Sequence, residues 1–88
     1  MDTTLNDIEK YSLVCLEPKE GTAVIDLHYV TSIRKMKDYE GYAIIITMQY
    51  IANPRYFNYT SSYLRDNDFD ILMDLYAKYN KMIHRYNA

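Results

Sequence analysis

Two histidines, one cysteine and a run of aspartates are the side chains through which this 88-residue chain could make or break bonds. His28 and His84 stand far apart, and neither sits in an H-x-x-H or H-E-x-x-H spacing, so a metal site would have to be assembled from distant segments. His84 falls at the boundary of a polar helix face, where a surface histidine is the simpler reading. Cys15 has no adjacent base and no C-x-x-C partner; its apolar neighbours predict a buried structural thiol and not a nucleophile. Gly21 and Gly41 are the only glycines, too few for a phosphate-cradling loop. Asp66-Asn67-Asp68-Phe69-Asp70 has the alternating carboxylates of a calcium loop. It lacks that loop's glycine, however, and Ala77 stands at the twelfth position, where the loop needs glutamate. Helix capping explains the run more cheaply. The expectation is a non-enzymatic chain with no catalytic residue, no metal and no cofactor.

Binding chemistry is better represented. Eleven residues are tyrosine, against two phenylalanines and no tryptophan. Tyrosine offers a large, rigid contact area with a polar tip and is enriched in binding surfaces, although some of these rings must serve as core. Asp66, Asp68, Asp70 and Asp74, with Tyr63 as an adjacent aromatic anchor, form a candidate acidic edge suited to a basic groove on a partner protein. A rival set is basic. Arg34, Lys35 and Lys37 lie close together, and Arg55 and Tyr56 open an aromatic stretch with the elements of a base-stacking platform. That stretch faintly resembles a strand of the RNA-recognition motif, but the motif's glycines and its βαββαβ order are absent. A net charge of −2 also lacks the basic excess of most nucleic-acid binders. A single-stranded nucleic-acid binder is therefore the alternative.

The elements that must hold these residues follow from pattern. A hydrophobic fraction of 49% with 25% charged residues is an ordinary globular balance, and the length suits one domain. Residues 1–9 show no firm period and are expected to fray or form one helical turn; residues 10–88 form a single domain. The longest apolar run, Ala43 to Ile46, is far too short to cross a membrane. The acidic, polar start is unlike a secretory signal, and a lone cysteine fits a reducing compartment, so a cytoplasmic location is expected. Strand alternation begins at Tyr11 and runs to Glu17, with Leu13 assigned to the core face. Pro18-Lys19-Glu20-Gly21 closes a hairpin, and Thr22 to Leu27 returns. Residues 28–37 are a bent continuation or a third strand, with Val30 and Ile33 inward. After a turn at 38–41, Tyr42 to Ile51 is the strongest strand, placing Tyr42, Ile44, Ile46, Met48 and Tyr50 on one face. Asn53-Pro54 stops it, and Arg55 to Thr60 is the last strand, with Phe57 and Tyr59 inward.

Ser61 and Ser62 read as a polar loop before a C-terminal helix capped by Asp66 or Asn67, with Asp68 and Asp70 in its first turn. Phe69, Leu72, Tyr76, Tyr79, Ile83 and Tyr86 recur at helical spacing as the buried stripe. Ile71, Leu75 and Met82 widen the apolar arc on one flank and Met73 on the other, to roughly 200° against the somewhat more than 100° that one sheet needs. The sheet shows a similar excess. Curling of the sheet, a second copy of the chain, or a partner protein could cover it, and the flank of Ile71, Leu75 and Met82 is the candidate oligomer or partner surface. The predicted fold class is α+β: a curled antiparallel sheet of four or five strands followed by one long C-terminal helix packed on it. In element order alone this resembles the ending of a pleckstrin-homology-type roll, and no function is transferred. The leading expectation is a small protein-binding module. Size, a mildly acidic tyrosine-rich surface and an abundance of residues with AT-rich codons resemble small phage or prophage proteins that block host factors, anti-CRISPR and anti-restriction proteins among them. A homo-oligomeric structural or accessory component is the third possibility. The partner is expected to be a host or cognate protein, with no membrane involved.

Overall fold

The computed structural model describes residues 12–38 and 41–87, with side chains as far as Ile83. The N-terminal segment, the centre of the turn after residue 38, and the side chains of His84, Arg85 and Tyr86 lie outside the described residues. Strand β1 (Leu13–Leu16) pairs antiparallel with β2 (Ala23–Asp26). Strands β3 (Val30–Asp38), β4 (Gly41–Met48) and β5 (Arg55–Tyr59) form a second antiparallel sheet with β4 in the centre, and helix α1 (Ser62–Asn87) ends the chain. Among the described residues the class is α+β, with antiparallel sheets and one C-terminal helix.

The strands form two sheets, where the sequence predicted a single curled one. The break has a local cause. Leu27–Tyr29 makes a 3₁₀ turn, started by the Asp26 carboxylate, which accepts a bond from the His28 N–H at 3.0 Å. Capping by a short acidic side chain offers the backbone an alternative to the ladder. The chain therefore leaves β2 and re-enters extended structure as β3, with a register shift between Val30 and Ser32.

The two sheets and the helix share one core. Val14, Leu16 and Ile25 enter it from the hairpin, Ile44, Ile46 and Phe57 from the larger sheet, and Leu72 and Tyr79 from α1. Leu16, Ile25, Ile44, Ile46 and Leu72 are fully inaccessible. The stripe predicted on the helix is the one buried: Leu72 and Tyr79 are sealed, and Phe69, Tyr76 and Ile83 pack against the same cluster. Val30 is also buried and Ile33 is packed against the core, the inward placement their spacing predicted.

Three local expectations are corrected. In β1 the faces are reversed: Val14 and Leu16 point in, while Leu13 is 59% exposed and Cys15 is open to solvent. Pairing decides this, because Val14 sits opposite Ile25 and Leu16 opposite Ala23, whereas Leu13 faces Asp26. Tyr50 does not continue the face of Ile46 and Met48. The strand stops at Met48, and Tyr50 occupies a turn at φ 65° with 93% of its surface exposed. Finally, the helix starts at Ser62, earlier than predicted, with Ser61 as its cap: the Leu64 N–H donates to the Ser61 Oγ at 3.2 Å. Asp68 and Asp70 consequently lie beyond the first turn.

Candidate partner-binding surface

The acidic edge divides into anchored and open members. Asp68 is a structural tie. Its Oδ2 accepts the Glu17 backbone N–H at 2.8 Å and the Tyr59 hydroxyl at 2.9 Å, joining α1 to the end of β1 and to β5. Burial of the Tyr59 ring, with the Asp68 carboxylate beside it, pushes that phenol well above its ordinary range. Asp66 is held by Arg65, whose Nη2 lies 2.9 Å away, and by Lys35 at 3.4 Å; the Arg65 hydrogen bond keeps the carboxyl below its usual range. Asp70 and Asp74 share the open helix face with Tyr63, which is 77% exposed. Asp74 pairs with Lys78 at 3.0 Å, but both ends are solvated and the pair is screened. Of the five residues predicted for this edge, Tyr63, Asp70 and Asp74 remain presented to a partner.

The basic set is divided between the two faces of its sheet. Arg34 and Tyr56 flank Ile45 on one face, because β4 sets Ile45 opposite both. Lys35, Lys37 and Arg55 belong to the opposite face, where each lies over a ring: Lys35 over Phe69 at 4.9 Å, Lys37 over Tyr42 at 5.5 Å, Arg55 over Phe57 at 5.0 Å. Lys35 is also engaged by Asp66. The five therefore do not form one platform for a strand of bases.

The predicted helix flank is likewise split. Leu75 and Met82 pack against the core, leaving Ile71 exposed, and Leu64, not anticipated from the sequence, is exposed two turns earlier. His28, given no role in the sequence reading, places its Nδ1 2.8 Å from the Tyr79 hydroxyl. Burial of the Tyr79 ring, with Asp26 nearby, raises that phenol too. Among the described residues, no group of three or more His, Cys, Asp or Glu side chains is placed to hold a metal ion, and no helix is long and apolar enough to cross a membrane.

What pattern reading missed lies on the β1 half of the hairpin. Leu13, Cys15 and Val24 all project from the face turned away from the core, with Cys15 directly opposite Val24. The face is set by register: Asp26, on the outer face of β2, stands opposite Leu13. Beside this face, a cleft of about 390 Å³ is lined by Thr22, Ala23, Val24, Arg55, Tyr56 and Phe57, with Pro18 and Glu20 from the hairpin loop. Glu20 is fixed there. Although burial acts against it, hydrogen bonds from the Asn58 side chain at 2.6 Å and from the Asn58 backbone N–H hold its carboxyl below the usual range. The exposed apolar side chains Val24 and Tyr56 therefore look across one depression. No protein-family model, no curated protein and no solved structure matches the chain.

Proposed function

We propose that the chain is a non-enzymatic protein-binding module acting by steric blockade, with the outer hairpin face of Leu13, Cys15 and Val24 at the centre of the contact. One observation carries this: three apolar side chains on one face of the hairpin stand in solvent although the core beneath them is filled by Val14, Leu16 and Ile25. Contiguous apolar surface on a small soluble domain marks contact with another surface. Tyr56, across the cleft, adds an aromatic of the kind that anchors interfaces. Asp70, Asp74 and Tyr63 supply a separate acidic face that would steer the module toward a basic groove.

Small size, tyrosine enrichment and residues of AT-rich codons support a finer reading. The module would be a phage or prophage-encoded inhibitor of a host factor, of the anti-CRISPR or anti-restriction type, working in the bacterial cytoplasm.

The test is co-purification from bacterial lysate with three proteins of equal helical content. They are the wild type, Leu13→Ser with Val24→Ser, and Tyr63→Ala with Asp70→Ala and Asp74→Ala. The hairpin variant is expected to lose the retained proteins, and the helix variant to capture them more slowly. Retention of the same proteins by wild type and hairpin variant alike would show that the hairpin is not the contact. Salt-sensitive binding of a fluorescent single-stranded oligonucleotide would favour the nucleic-acid alternative instead.

A further inference from the structure

The cleft between β2 and β5 has walls of an unusual kind, because both are open strand edges. In an antiparallel ladder the backbone N–H and C=O of alternate residues point toward the partner strand, and those between point away. The Leu27 N–H donates to the Ser12 carbonyl at 2.7 Å, so Leu27, Ile25 and Ala23 turn their backbone groups toward β1. Val24, between them in the strand, then turns its own groups away from β1, and it lines the cleft. On the other wall, the Asn58 carbonyl accepts the Lys19 N–H at 2.8 Å and the Asn58 N–H donates to the Glu20 carboxylate at 3.2 Å. Asn58 therefore faces away from β4, and so does Tyr56, two residues before it.

The hairpin loop thus already acts as the first rung added to β5 at Asn58. The next outward position, Tyr56, receives no such partner among the described residues. Lys19 and Glu20 of the loop before β2 thus meet Asn58 near the end of β5, and the two strands, paired in different sheets, both line the cleft. Side chains complete the site. Ala23 and Phe57 lie on its inner side, Val24 and Tyr56 on its outer side, and Arg55 stands exposed among them with no carboxylate partner among the described residues. A small-molecule pocket would converge a few polar side chains on one point. Here the polar groups are main-chain donors and acceptors set out along two lines, which an extended backbone satisfies.

We propose that this cleft takes up an extended strand of a partner protein by β-strand addition, a strand with alternating apolar residues and a carboxylate opposite Arg55. The proposal rests on the protein-binding reading above and specifies how one partner segment is held. Its chemistry is main-chain pairing for affinity and the Val24, Tyr56 and Arg55 side chains for selection.

The probe is an end-capped six-residue peptide alternating valine and threonine with one central glutamate. It is compared with the same peptide N-methylated along one edge, and with a version carrying lysine for glutamate. Amide hydrogen exchange of the full-length protein is followed by NMR. In the free protein the Val24 and Tyr56 amides are expected to exchange fast relative to Ile25 and Phe57. A tenfold excess of peptide over its dissociation constant should slow Val24 and Tyr56 by about tenfold. N-methylation should abolish the effect, and Arg55→Glu, an exposed change, should reverse the preference between glutamate and lysine peptides. Equal binding of the N-methylated peptide, unchanged exchange at millimolar peptide, or amides already protected in the free protein would each overturn strand addition. Loss of partner capture in the Leu13→Ser, Val24→Ser variant alongside such a result would leave the protein-binding reading standing without it.

Discussion

Asp68 shows how one side chain can look like a site and act as a brace. Its carboxylate satisfies a backbone N–H at the end of β1 and a buried phenol on β5 at once. Removing it leaves both donors seeking water from a partly closed position, a loss of about 1–3 kcal/mol for hydrogen bonds to a charged group. Asp68→Ala should therefore lower the unfolding free energy read from urea titrations by that much, whereas Asp70→Ala, on the open face, should change it little. Tyr59 adds a pH signature. Its folded phenol titrates above the unfolded value of about 10, so the neutral form is the one the fold favours. The associated stability is constant below that pH and declines above it, by up to about 1.4 kcal/mol per pH unit for Tyr59. Tyr59→Phe is expected to lose the Asp68 bond near neutrality yet flatten the alkaline decline, which urea titrations between pH 7 and 11 would read. Tyr79 retains its own share, so the decline should shrink and not vanish. Parallel alkaline slopes for the two proteins would contradict the assignment.

At the level of elements, the helix and the strand pairs differ in how much of themselves they announce. The spacing of Phe69, Leu72, Tyr76 and Tyr79 reveals the buried stripe of α1 because a helix with one wet side must segregate its residues. Its start is less visible. Ser61 caps through its hydroxyl, but no glutamate follows three positions later to form a capping box, and the aspartates downstream advertise a competing start. Ser61→Ala should cost about 1 kcal/mol and expose the first turn to faster amide exchange, with Tyr63 to Arg65 the most affected. If Asp66 were the true cap, that exchange would stay unchanged. In β1 the trouble is of another kind. Leu13 to Leu16 is apolar at every position, so alternation has no contrast to read. Only the register against β2, where Asp26 and Val24 take the outer face, decides which residues are buried. The separation into two sheets was equally hidden, since it turns on one side-chain cap at Asp26. The functional surface inherits this blindness: Asp70 and Asp74 were legible as a solvated helix face, whereas the exposure of Leu13, the helical placement of Tyr63 and the cleft were not.

For the molecule as a whole, the question is what covers the hairpin's outer face when none of the described residues does. Cys15 sits at the middle of that face and reports on it without any substitution. The thiol is exposed and so open to a reagent in solution. A disulfide-exchange reagent should thus modify native Cys15 without unfolding, and urea should accelerate the reaction little. The dependence on protein concentration separates two ways of covering the face. A second copy seated there would slow labelling as the protein is concentrated, in step with rising mass by light scattering. A heterologous partner leaves the rate of the free chain unchanged at every concentration, and this is the outcome expected for a module whose contact is with another protein. Slow labelling even in dilute solution would mean that the face is already closed within a single chain. The apolar surface would then be interior, and the case for a binding role would fall with it.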